Sequence, residues 1–192
     1  MNTIATSQIL PSTTSRRLPS ANDPHFAKPY AEIREDELIA KEEKVYFASI
    51  PPGAPGNPGT VTKHTVNGDL FPEGAPIKLT LGQAQTWRVW VGESQTSNPG
   101  PNHPYHIHVN PFEVITRNAQ GLIIDRYWKD TYLISSSTNK GERNAVELRA
   151  RYETFPGDFV MHCHNLNHED AGMMKLVTMG LPTTSSHSHK AH

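Results

Sequence analysis

Short runs that alternate apolar and polar residues, broken by turns rich in Gly and Pro, recur from Val45 to Gly180. They are VYFASI (45–50), TVTKHTVNGDLF (60–71), IKLTLG (77–82), QTWRVWVG (85–92), YHIHVNPFEVIT (105–116), DTYLIS (130–135), AVELRARY (145–152), GDFVMHCH (157–164) and KLVTMG (175–180). Alternation is clearest in IKLTL and AVELRA, the mark of half-buried antiparallel strands. Asn67-Gly68 is a hairpin-type turn signal, and PPGAPGNPG (51–59) can only be a loop. No stretch predicts a strong helix longer than about three turns, and no internal repeat is present. Roughly seven to nine short strands at this spacing predict an all-β fold, a Greek-key sandwich or barrel.

The flanks differ in character. Residues 1–30 are rich in Ser, Thr, Pro and Asn without periodicity and are expected to be disordered or linking. Residues 31–44, AEIREDELIAKEEK, are heavily charged and predict a short helix or an extended linker. The expected division is therefore a disordered segment and interdomain-type linker over 1–43, one folded domain over 44–180, and a disordered tail over 181–192 that carries the HSH of His187 and His189. A chain of 192 residues suits this plan and can bury a core without disulfides.

Charge excludes some partners. With 18 Lys and Arg against 19 Asp and Glu, the net charge of −1 gives no electrostatic support for nucleic acid or an anionic membrane. No apolar run approaches the ~18–20 residues of a membrane span. The N-terminus, with Arg16-Arg17 followed by LPSANDPHF, does not read as a secretory or twin-arginine signal. A single cysteine leaves the compartment open.

Two patches carry the chemistry. HPYHIHV (103–109) and MHCHNLNHEDAGMM (161–174) hold three each of the 11 histidines and the only cysteine. Side chains alternate faces along a strand, so His106 and His108 share one face, as do His162 and His164. His103 and Cys163 then point the opposite way. If the two strands are neighbours, four histidines converge on one side, and His103 meets Cys163 on the other. The loop beyond adds His168 and Met173. Two imidazoles, a thiolate and a weak axial methionine form a blue-copper set. Thiolate and thioether disfavour calcium and magnesium, and methionine is an unusual zinc ligand. Each residue alone has a plainer reading: a lone buried cysteine is usually a small hydrophobe, and paired methionines usually fill gaps in a core. Their joint parity is what points to copper.

HPYHIH resembles the HPxHxH motif, and HCHNLNHEDAGMM the HCHxxxHxxxGM motif, of the multicopper oxidases, the laccase and bilirubin-oxidase superfamily. The resemblance runs from about Ile33 to Gly180, through EIREDEL, TVNGDLF, LGQAQTWRV and WKDT, and implies a cupredoxin-like (plastocyanin-like) C-terminal domain. It implies that His103, Cys163, His168 and Met173 bind a type 1 copper, His106 a type 2 copper, and His108, His162 and His164 a type 3 pair. In such enzymes the type 1 copper takes single electrons from a reducing substrate, a phenol, metal ion or similar donor. A trinuclear cluster then reduces O2 to water. Glu169 and Asp170 resemble carboxylates that relay protons in some members; a solvated pair capping the site is the equal alternative.

The trinuclear cluster needs twice the histidines that this quartet supplies. The missing pairs belong to an N-terminal cupredoxin domain, expected in trans or in a parent chain, and HSH in the tail lacks the strand context to replace them. The expectation is thus an incomplete oxidase module, a truncated product or one half of a split enzyme. Most family members are periplasmic or secreted. A stand-alone blue-copper electron carrier is the alternative, and a zinc or copper storage or sensing domain is weaker still.

Overall fold

The computed structural model describes residues 30–92 and 100–182. The N-terminal segment ahead of Tyr30 and the tail from Thr183, with its HSH, lie outside the described residues. The chain divides into Met1–Ala31 and Glu32–His192; of the first unit only Tyr30 and Ala31 are described, both exposed.

In the second unit, alternation resolves into two layers. The strands are β1 (Leu38–Ile50), β2 (Lys63–Val66), β3 (Ile77–Thr80), β4 (Ala84–Val91), β5 (His103–Ile107), β6 (Phe112–Arg117), β7 (Ile123–Lys129), β8 (Thr131–Ile134), β9 (Val146–Arg151), β10 (Gly157–Cys163) and β11 (Met174–Gly180). One sheet has the order β2-β1-β4-β9-β6-β7, and the other β3-β11-β10-β5-β8. The inward residues of both, among them Phe47, Trp87 and Leu148 from the first and Tyr105, Met161 and Val177 from the second, form a single apolar cluster. This is the expected all-β sandwich, with non-consecutive neighbours in both sheets. Among the described residues no helix is long and apolar enough to cross a membrane.

Three local features depart from the sequence reading. The run expected over 105–116 is two strands, because the chain crosses between sheets at Val109–Pro111, with Val109 at a φ of 80°. The strand β7 carries no clear alternation, since it is an edge strand with both faces half wet. And β1 begins at Leu38, ahead of Val45.

The charged run before β1 is clamped to the sandwich by distant arginines. Ile33 is buried and accepts a hydrogen bond from Arg149 Nη1 at 2.8 Å. Glu35 pairs with Arg149 at 2.6 Å and Arg117 at 2.7 Å, Glu37 with Arg151 at 2.9 Å, and Glu32 with Arg126 at 2.9 Å. These arginines stand on β6, β7 and β9, far away in sequence, so no local pattern announces them. Arg149 is fully buried and also meets Glu147 at 3.2 Å. Replacing Arg149 by Met removes one of the two arginines shared by the exposed Glu35 and the partly buried Glu147; Arg117 still pairs with both. The substitution is expected to destabilise the fold by about 1–2 kcal/mol, less than a fully broken buried pair because Arg117 still holds both carboxylates and water reaches Glu35, measured by denaturant unfolding.

Candidate metal centre

The centre rests on one strand pair. Strands β5 and β10 run antiparallel, with His106 opposite His162 and Tyr105 opposite Cys163. The ladder continues past both strand ends, through His108 N to Val160 O at 3.0 Å and His164 N to Pro104 O at 2.7 Å. Parity therefore holds for the five strand histidines, His103, His106, His108, His162 and His164.

On the inner face, Cys163 Sγ lies 3.6 Å from His103 Nδ1 and 3.6 Å from His168 Nδ1. The three donor atoms all fall within 4.8 Å of one another, and all three residues are buried. Metal–ligand bonds of about 2.0–2.3 Å bring neighbouring donors to roughly this separation, so the set fits a bound metal. His168 reaches the sulfur from a single helical turn, α1 (Leu166–Asp170), whose N-cap Asn165 accepts from Asn167 N. The chain then reverses at Gly172, with a φ of +99°, where an added Cβ would lie 3.3 Å from Leu70. The reversal returns Met173 N to His168 O at 2.9 Å and Met173 O to Cys163 N at 3.1 Å. Met173 is fully buried in the same cluster as Cys163.

Burial sets the charge state of this face. It pushes the His103 imidazole down to about 3, helped by His168 and His64, and lowers His168 as well. Both rings are therefore neutral, the form that binds metals. Burial also pushes the Cys163 thiol up to about 11, against a backbone hydrogen bond from Asn165. A metal here must displace that proton, which favours an ion with high thiolate affinity. Among the described residues, His103 Nε2 is buried without a hydrogen-bond partner. A cavity of about 180 Å³ lies beside His103, lined among others by Tyr46, Ser49, Ile50, Thr65 and Pro101, with no charged residue among its described walls.

On the outer face the quartet assembles. His106, His108 and His162 offer nitrogens within 4.8 Å of one another, and the Nε2 atoms of His108 and His162 are 3.2 Å apart. His164 stands beside them, its ring centroid 5.3 Å from that of His106. His106 Nδ1 lies 2.7 Å from Asp130 O. A carbonyl only accepts, so Nδ1 carries the proton and Nε2 keeps its lone pair. His108 and His164 are exposed, so this face is open. Burial lowers His108 and His162 too.

The two carboxylates separate. Glu169 Oε2 lies 3.2 Å from His162 Nδ1, whereas Asp170 is exposed at the end of α1 and makes no hydrogen bond or ion pair to any described histidine. Two residues outside the sequence reading also touch the centre. The Phe47 ring stacks on His103 at 5.4 Å, and the His64 ring on His168 at 4.1 Å. Neither has a local signal: Phe47 looks like any core aromatic, and His64 is a lone histidine in a short strand.

Comparison with known proteins agrees with this chemistry. Residues 51–180 match the profile of the family described as multicopper oxidase. A laccase of Haloferax volcanii is 35% identical over 60% of this chain and 19% of its own length. A bilirubin oxidase of Albifimbria verrucaria is 35% identical over 57% of this chain and 19% of its own. The multicopper oxidase structure from Pediococcus acidilactici superposes with a TM-score of 0.57 and 26% identity, over 85% of this chain and 30% of that one. The chain thus spans about a fifth of the length of these two curated relatives. Its sandwich is cupredoxin-like, copper is the metal of its relatives, and the chain belongs to the multicopper oxidase family.

Proposed function

We propose that this chain is the electron-accepting module of a multicopper oxidase, holding a type 1 copper at His103, Cys163, His168 and Met173. On the same reading it supplies His106 to a type 2 copper and His108, His162 and His164 to a type 3 pair. Copper bound in these sets supplies one-electron acceptance on the inner face and reduction of O2 to water on the outer. The observation that carries the reading is the pair of donor sets on opposite faces of β5 and β10. Cys163 faces one set while its chain neighbours His162 and His164 belong to the other, so a few covalent bonds join the two. A simple electron carrier has no use for the outer quartet.

Glu169 orients His162 by holding Nδ1, which leaves Nε2 directed toward His108. The same carboxylate stands where it can pass protons to the outer face, a role for which Asp170 has no comparable contact. The described walls of the cavity beside His103 carry no charge, which suits a neutral organic donor better than a hard metal cation, for which carboxylates are the natural ligands. The remaining cluster histidines come from a second cupredoxin domain, in trans or in a parent chain.

Copper counting on the purified chain tests the reading. The expected result is one tightly held copper with intense blue absorption. Copper-loaded protein without a blue band, or a preference for zinc under competition, would overturn it.

A further inference from the structure

We propose that His64 is a positioning residue of the mononuclear centre, locking the His168 imidazole in its ligand orientation by ring stacking. The inference rests on the reading of His168 as a copper ligand. His168 sits on α1, a helix of five residues. A single turn is too short to hold its own shape, so the ring's orientation depends on what lies against it. The ring lying flat against it is His64, with centroids 4.1 Å apart and planes within 17°, whereas His103 meets it tilted, at 5.1 Å and 49°.

The His64 ring is itself tethered. On β2 it pairs directly with Ser49 of β1, and Ser49 Oγ lies 2.9 Å from His64 Nδ1. Phe47 is two residues before Ser49, so both share one face of the β1–β2 ribbon. Phe47 stacks on the other imidazole, His103, at 5.4 Å. One ribbon face thus lays a ring against each imidazole of the set. His103 is also held within a regular strand, but His168 has only its short turn, so the loss of its backing ring matters more.

A ligand role for His64 fits the geometry poorly. Its Nδ1 is engaged by Ser49, and two nearly parallel stacked rings keep their nitrogens in separate planes rather than aiming them at one ion. His103, Cys163 and His168 already converge without it.

The test compares the full chain with His64→Ala, His64→Phe and Ser49→Ala, each loaded with copper. Copper affinity is measured by chelator competition, alongside the blue band, the electron paramagnetic resonance spectrum and the reduction potential. His64→Ala is expected to weaken copper binding about 10- to 100-fold, the usual effect of removing an outer partner of a ligand, and to shift the spectrum and the potential. His64→Phe restores a stacking ring and is expected to recover most of the affinity and the parent spectrum. An alanine variant that matches the parent in all four readouts overturns the proposal, as does a phenylalanine variant no better than alanine. If His64→Ala does not fold, Ser49→Ala decides: with the ring untethered, affinity and potential should move, and unchanged values overturn the proposal. A parent chain that binds no blue copper would instead fail the functional reading on which the inference stands.

Discussion

Replacing Cys163 by Ser is expected to abolish the blue absorption and to strip the mononuclear copper, while the chain stays folded. The sulfur is the only soft anionic donor the site can offer, and it lies 3.6 Å from both imidazole Nδ1 atoms. A serine hydroxyl does not ionise near neutral pH and cannot supply the thiolate that gives the intense colour. Copper affinity should fall by more than the roughly 100-fold that loss of an outer-shell partner costs. The fold should tolerate the change. The Cys163 side chain takes no part in the ladder, which runs through its backbone to Met173 O, and a serine hydroxyl occupies slightly less space than the thiol in the same place. The metal-free variant should unfold within about 1 kcal/mol of the parent, the net worth of one hydrogen bond. The outer histidines project from the other face, so copper added there should bind as in the parent. Absorption spectroscopy with copper analysis checks this; surviving blue colour would mean that Cys163 is not a ligand.

The parts of this centre that lie on regular strands are legible in the sequence. HxH and HCH on strands fix which side chains share a face, and the register of His106 against His162 then carries the whole quartet. Alternation likewise reveals β3 and β9, whose inner residues are buried. What sequence reading misses follows from contacts rather than pattern. The turn α1 is too short to leave a periodic signal, although it delivers His168. The edge strand β7 has no dry face to imprint alternation. The charged run ahead of β1 reads as a short helix or linker because its arginine partners on β6, β7 and β9 lie far along the chain. His64 is the sharpest case: nothing in TKHTV separates a ring that backs a ligand from one that faces water, and only its register with Ser49 and its stack on His168 do so.

Oxygen reduction is expected only when a second histidine-bearing cupredoxin domain completes the outer face. Mixed with such a domain, this chain should consume O2 at least about 100-fold faster than alone, a conservative allowance for reacting groups brought into correct position. The argument starts from the openness of the quartet. His108 and His164 are exposed, and the Nε2 of His108 lies 3.2 Å from that of the buried His162. Copper held by these four imidazoles alone would stay open to water, short of the ligands that a second domain would add. His162→Ala should erase the gain while preserving the blue band, because its side chain faces away from Cys163 Sγ. Cys163→Ser should erase the gain together with the colour. This pairing of variants separates the readings: a stand-alone carrier would show the blue band, indifference to His162→Ala, and no O2 consumption with any complement. Turnover by the chain alone, at a rate that the added domain does not raise, would show that the quartet is sufficient and that no partner is needed. Oxygen-electrode measurements with copper counting on the mixture and on each component decide among these outcomes.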